Sequence, residues 1–189
     1  MIYMLKIIIQ CFYFILPAYF ANMAPVIVKK LFKGLAFPID FNKTLNNNPV
    51  LGKNKTFRGL IFGILFAMVI AYLQYILYKK NIFAGISAID ISAIDYSNWI
   101  LIGFLMGFGA IFGDLIKSFI KRRLRYNPGK PFVPFDQTDF IAGALIFIYP
   151  LAKEFLTLEK IIIILLITFA LHITVNHIAF YTGIRQEKW

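Results

Sequence analysis

Long apolar runs alternate with short polar segments along the 189-residue chain. Five runs approach the ~20 apolar residues needed to cross a bilayer. They span about Ile7 to Val28, Phe57 to Tyr78, Ser97 to Ile120, Phe140 to Phe155 and Ile161 to Tyr181, the fourth being the shortest. The pattern predicts an all-α membrane protein, a bundle of about five transmembrane helices whose cytoplasmic polar loops form the active site. Residues 1–189 read as a single integral-membrane domain. Within the second and third runs, Gly59 and Gly63, Gly103 and Gly107, and Gly109 and Gly113 stand four apart, which predicts close helix contacts and central positions for these spans. Pro17 and Pro25 interrupt the first run with Asn22 between them, so a packed kink or part of a polar cavity is expected there.

Composition excludes a soluble domain of this size: the chain is 60% hydrophobic, contains 21 Phe and has a mean hydropathy of +0.73. The first apolar stretch is too long for a signal peptide and shows no small-residue cleavage site before Lys29, so a retained first span is expected. The single cysteine, Cys11, excludes an internal disulfide and a Cys-cluster zinc site.

Charge then orients the bundle. The net charge is +11, and fifteen of the 20 bases fall in Lys29–Arg58, in Lys117–Thr138 and at Arg185 and Lys188. Basic residues accumulate on the cytoplasmic side, which puts these two loops and the C-terminus inside and the N-terminus outside. The segment Lys79 to Asn98 is weakly charged, and Tyr72, Tyr75, Tyr78, Tyr96 and Trp99 form an aromatic belt at the opposite edge.

The densest chemistry lies in Gly113 to Phe140, with Asp114, Asp136 and Asp139 and six bases between two apolar runs. Asp114, Lys117, Ser118, Lys121 and Arg122 recur at helical spacing, and Asp136 and Asp139 share a face three residues apart. A carboxylate at the membrane edge is costly unless paired or metal-bound. Two readings stay open at this point. Three carboxylates suit Mg²⁺, a hard cation that takes oxygen ligands and keeps substrate phosphates as others, while Lys55, Arg58, Lys117, Lys121, Arg122 and Lys130 neutralise phosphates. That arrangement points to phosphoryl or nucleotidyl transfer to a lipid. Alternatively, the acids pair with neighbouring bases in a solvated network. Asn54, Lys55 and Thr56 open the second span, where helix N–H groups and dipole favour an anion. His172, Asn176 and His177 in the fifth span read as buried hydrogen-bonded side chains in preference to metal ligands. A small transporter is the rival from another class, but it would distribute polar residues through the spans rather than at one edge.

Gly113, Asp114, Leu115, Ser118, Lys121 and Arg122, followed by Pro134, Asp136 and Asp139, resemble the signature of the CDP-diglyceride synthetase family, the membrane phosphatidate cytidylyltransferases. Gln137 stands where bacterial members carry arginine, and with the small size and five spans this makes the chain more similar to the archaeal branch, the CDP-archaeol synthases. Ala21, Asn22, Pro25, Pro38, Ile39, Asp40, Gly52, Lys55, Thr56, Arg58 and Gly59 match in order, so the resemblance covers most of the chain. It implies transfer of CMP from CTP to digeranylgeranylglyceryl phosphate, an unsaturated archaetidic acid, in an archaeal plasma membrane with Mg²⁺ as cofactor. Combined with the spacing, it implies that Asp136 and Asp139 hold the metal with Asp114 as a further ligand or an orienter of Lys121. It further implies that Lys55, Thr56 and Arg58 take CTP phosphates, that Ser118, Lys121 and Arg122 take the triphosphate or the lipid phosphate, and, more weakly, that Asn176 and Asp40 contribute.

Overall fold

In a computed structural model, residues 2–80, 82, 93–126, 130 and 132–182 are described. 

The tail bases Arg185 and Lys188 lie outside the described residues. Five helices dominate: α1 (Ile2–Ile27), α2 (Phe57–Lys79), α3 (Trp99–Arg123), α4 (Phe135–Ala152) and α5 (Leu158–Tyr181). The helices α1, α2, α3 and α5 are long and apolar enough to cross a membrane. The 18 residues of α4 rise about 27 Å at 1.5 Å each, close to the hydrocarbon thickness. The fourth span thus starts at Phe135 rather than Phe140, which puts Asp136 and Asp139 inside the first turns of the helix instead of ahead of it. The chain is a multi-pass membrane protein.

Glycine decides how close the helices come. A Cβ on Gly109 would sit 2.7 Å from Gly143 O and 2.9 Å from Ala144 Cα, and one on Gly113 would collide with the carbonyl oxygen of Asp139. The contact between α3 and α4 is accordingly the most extensive in the bundle, backbone against backbone. On the other side of α3, Gly107 lies against α2, where a Cβ would come within 2.9 Å of Ile64 Cα. The central position expected of α2 and α3 holds for α3, which packs between α2 and α4 and also touches α1. Pro25 stays within α1 and packs on Gly59, with 3.3 Å from its Cγ to where a Cβ would be. The belt residues meet as expected at the far end: Tyr72 and Trp99 ring centroids are 4.9 Å apart, and those of Tyr78 and Tyr96 5.9 Å.

Between α1 and α2 the chain folds into a closed loop. Ile39 N–H donates to Lys55 O at 2.8 Å and Phe57 N–H to Phe37 O at 3.0 Å, which joins its two ends. At its tip two short strands, β1 (Thr44–Leu45) and β2 (Asn48–Pro49), pair antiparallel around Asn46 and Asn47. These asparagines have φ of 50° and 60°, the left-handed conformation that a two-residue hairpin turn requires and that Asn tolerates. This hairpin and an isolated antiparallel bridge between Pro38 and Thr56 at the base of the loop depart from an all-α fold.

Candidate active site

At the end of the bundle where α2 and α4 begin and α3 ends, three lysines and three aspartates interlock. Lys117 and Asp114 lie one turn apart on α3, with Nζ 3.1 Å from Oδ1. The same ammonium lies 3.2 Å from Asp136 Oδ1 and 3.1 Å from Asp139 Oδ2, both on α4. Lys55, arriving from the loop before α2, pairs with Asp114 Oδ2. Lys121, one turn beyond Lys117, donates to both oxygens of Asp136 at 3.1 and 2.9 Å and to Lys130 O at 2.7 Å. Asp136 Oδ2 also accepts the Phe132 N–H at 2.7 Å. The cluster is thus charge-balanced and drawn from three elements.

Its placement follows from the helices. Asp136 lies in the first turn of α4, where free N–H groups and the helix dipole favour a carboxylate. Lys121 lies in the last turn of α3, where a cation is favoured for the opposite reason. The glycine contact between Gly113 and Asp139 O brings the two helices close enough for their acids to share one ammonium. Burial makes the pairing necessary: the Lys117 and Asp139 side chains retain 15% and 7% of their exposure, so an unpaired charge in either place would be strongly destabilising. The acids thus pair with neighbouring bases, as in the alternative reading, but the network they form is largely buried and not solvated.

One oxygen is incompletely satisfied. Asp139 Oδ2 is buried and within ion-pair distance of Lys117, yet no donor is aligned with it as a hydrogen bond. Among the described residues no three His, Cys, Asp or Glu side chains form a ready-made metal cage, since the Lys117 ammonium sits between the three carboxylates.

The remaining expected site residues divide. Ser118 is buried on α3 between the levels of Asp114 and Lys121. Thr56 caps α2, its hydroxyl accepting the Gly59 N–H at 3.2 Å, so that one free donor of the expected anion site is already used. Arg58 is buried and donates to Leu31 O at 2.9 Å, tying α2 to the segment that follows α1 and not reaching the carboxylates. Arg122 donates to Tyr126 O at 2.8 Å, behind the cluster at the end of α3. Asn176 is buried on α5 with Nδ2 3.0 Å from His172 Nδ1, and His177 Nδ1 lies 2.8 Å from Ile173 O, in line with hydrogen-bonded packing. Lys121 is oriented by Asp136 and not by Asp114, because Asp114 is occupied by Lys55 and Lys117.

Two residues outside the expected core of the site matter as much. Lys117, expected only as one of several phosphate neutralisers, is the hub of the cluster; its spacing of three from Asp114 was the available signal. Arg123 donates to Leu45 O at 2.7 Å, Asn48 O at 3.2 Å and Pro49 O at 2.6 Å, fastening the hairpin to α3. Nothing in local spacing announces a contact across more than 70 residues. Inside the same loop, Asp40 accepts N–H groups of Asn42, Leu51 and Gly52 at 3.1, 2.9 and 3.1 Å. Burial pushes its carboxyl up, but these donors outweigh burial and hold it below the usual carboxylate range. The loop that carries Lys55 is therefore anchored from within by Asp40 and from outside by Arg123.

Residues 4–189 match the family described as CarS-like, CDP-archaeol synthase. The CDP-archaeol synthase of Methanococcus aeolicus is 38% identical over 97% of this chain and 97% of its own length. That of Archaeoglobus fulgidus is 35% identical over 98% of this chain and 100% of its own. A solved structure of an intramembrane enzyme for archaeal membrane lipids biosynthesis superposes with a TM-score of 0.68 at 27% identity, covering 87% of this chain and 90% of that one. Over nearly its full length, the chain belongs to the CDP-archaeol synthase family.

Proposed function

We propose that the chain transfers CMP from CTP to digeranylgeranylglyceryl phosphate, giving CDP-archaeol and pyrophosphate, with Mg²⁺ as cofactor. The observation that carries this reading is the convergence of Asp114, Asp136 and Asp139 on one point at the polar end of an apolar bundle, with lysines around it. Family membership supplies the reaction class, and the buried, charge-rich site at one membrane edge supplies a place for an amphiphile and a nucleotide to meet.

The residues fit a divalent ion. Three carboxylates lie around a single point now held by a cation, and the buried Asp139 Oδ2 has no aligned hydrogen-bond donor. An all-oxygen donor set of this kind suits a hard cation. Asp114, Asp136 and Asp139 would hold Mg²⁺, which when bound would polarise the attacked phosphate and offset developing charge. Lys117, released from the carboxylates, becomes a phosphate ligand. Lys55 and Lys121 bind and orient phosphates from the two flanks of the cluster.

A lipid phosphate oxygen attacks the α-phosphorus of CTP in line, a new phosphorus–oxygen bond forms, and the bond to the bridging oxygen breaks as pyrophosphate leaves. The nucleophile is already anionic, so the side chains need only position reactants and neutralise charge. The charge asymmetry of the loops supports a cytoplasmic site, with the N-terminus outside and the C-terminus inside, in the plasma membrane.

The test is incorporation of labelled CTP into lipid by detergent-purified protein, with Mg²⁺ or with chelator. CDP-lipid formed from the ether substrate and lost on chelation is expected. Preference for phosphatidic acid would shift the activity to the bacterial type, and no product with either lipid from folded protein would overturn the reading.

A further inference from the structure

A cleft of about 240 Å³ runs between α3 and α4 beside the ion-pair cluster. Its walls are apolar, and Lys117 and Asp139 are the two charged residues that line it. Towards the middle of the bundle it is bounded by Phe112 and Phe147, whose rings meet edge to face at 5.5 Å. At the polar end it is bounded by Phe132 and Phe135, stacked at 5.0 Å. The rim is open sideways: Ile116 and Ile146 are 46% and 72% exposed on the outward faces of α3 and α4. A ligand entering there comes from the hydrocarbon and not from water.

We propose that this cleft is the lipid subsite, that the lipid phosphate reaches the site laterally between α3 and α4 with its isoprenoid chains against the cleft walls, and that Lys117 receives its phosphate. This rests on the reaction proposed above and assigns the two substrates to different lysines. An amphiphile with one anionic head and branched apolar chains complements an apolar cleft that ends at an ammonium. A nucleotide triphosphate does not, since it offers nothing apolar to the walls. Lys55 and Lys121 do not line the cleft; they flank the cluster from the loop before α2 and from the end of α3, and so are left for the triphosphate. The same glycine contact that brings Asp139 to Lys117 forms part of the cleft floor, through Gly113 and Gly143.

The test uses the wild-type protein and a dialkylglycerol phosphate carrying a photoactivatable diazirine in its chain, with adducts mapped by mass spectrometry. Adducts concentrated in residues 112–120 and 142–147, and competed by unlabelled dialkylglycerol phosphate but not by neutral dialkylglycerol, are expected. Adducts spread equally over the outward faces of α2 and α5, or equal competition by the neutral lipid, would overturn the proposal. In a second measurement, Ile146→Trp should raise the lipid KM about tenfold and leave the CTP KM unchanged. Leu166→Trp, at an outward position on α5, should change neither, and an equal rise in both constants for Ile146→Trp would also overturn the subsite. If the wild type forms no CDP-lipid while labelling stays in the cleft and is competed by lipid phosphate, the reaction fails and the subsite stands.

Discussion

Where α3 meets α4, backbone lies on backbone at Gly109, Gly113 and Gly143, and the charged cluster sits at the end of that seam. The packing of α5 is different in kind. It rests on α1 and α4 through side chains, with Ile164 and Thr168 fully buried and the Tyr19 hydroxyl donating to Thr168 Oγ1 at 3.1 Å. A side-chain interface can adjust by changing rotamers, whereas a backbone interface has little slack. The charged cluster is therefore built where the fold tolerates least movement, which keeps three carboxylates within reach of one ammonium.

The comparison can be broken most severely at the seam. Asp136→Asn or Asp139→Asn should lower turnover at least ~100-fold while the protein remains folded in detergent. Near-normal Mg²⁺-dependent activity in either variant would remove that residue from the metal-binding set. Gly143→Ala should destabilise the bundle by about 1–3 kcal/mol and reduce activity with it, because the added methyl meets the backbone of α3. Thermal unfolding in detergent reads the first effect, and an unchanged melting temperature would mean that the seam can open.

Lys55→Ala should raise the KM for CTP about tenfold, about 1.4 kcal/mol, and the lipid KM much less. The opposite ratio would move Lys55 to the lipid phosphate. On the α5 side, Tyr19→Phe should cost about 1 kcal/mol of stability and leave kcat unchanged. A fall in kcat would show that α5 helps to set the site. The smallest expected change is in the loop. Because Asp40 is held below the usual carboxylate range when folded, its contribution is present above its unfolded pKa and is lost as pH falls through the lower folded value. Protease protection of the loop should thus persist through neutral pH and fade only in strong acid, and Asp40→Asn should lower that protection at neutral pH and flatten its pH dependence.

The spans were legible because about 20 consecutive apolar residues leave few alternatives in water or lipid. Glycines four apart announced tight contacts for the same local reason, and Thr56 was readable as the start of α2. The pairing of charges was not legible. Asp114 and Lys117 share a helix and could be matched by spacing, but Lys55 reaches Asp114 across 59 residues and Arg123 reaches the hairpin across more than 70. Arg58 and Arg122 illustrate the converse: both have the charge of a phosphate ligand, and both are turned to backbone carbonyls at helix ends. Charge type is written in the sequence, but which charges meet is decided by the helix packing.

The distribution of the six charges also bears on how the protein is assembled. The helix α3 carries Asp114 together with Lys117 and Lys121, whereas α4 carries Asp136 and Asp139 and no base of its own. Left alone in a bilayer, α4 would hold two carboxylates without a counterion near its end, a costly state. Its counterions come from the helix synthesised just before it. Stable insertion of α4 is therefore conditional on α3 already being in place, and the order of the chain during synthesis supplies the partners in the sequence in which they are needed.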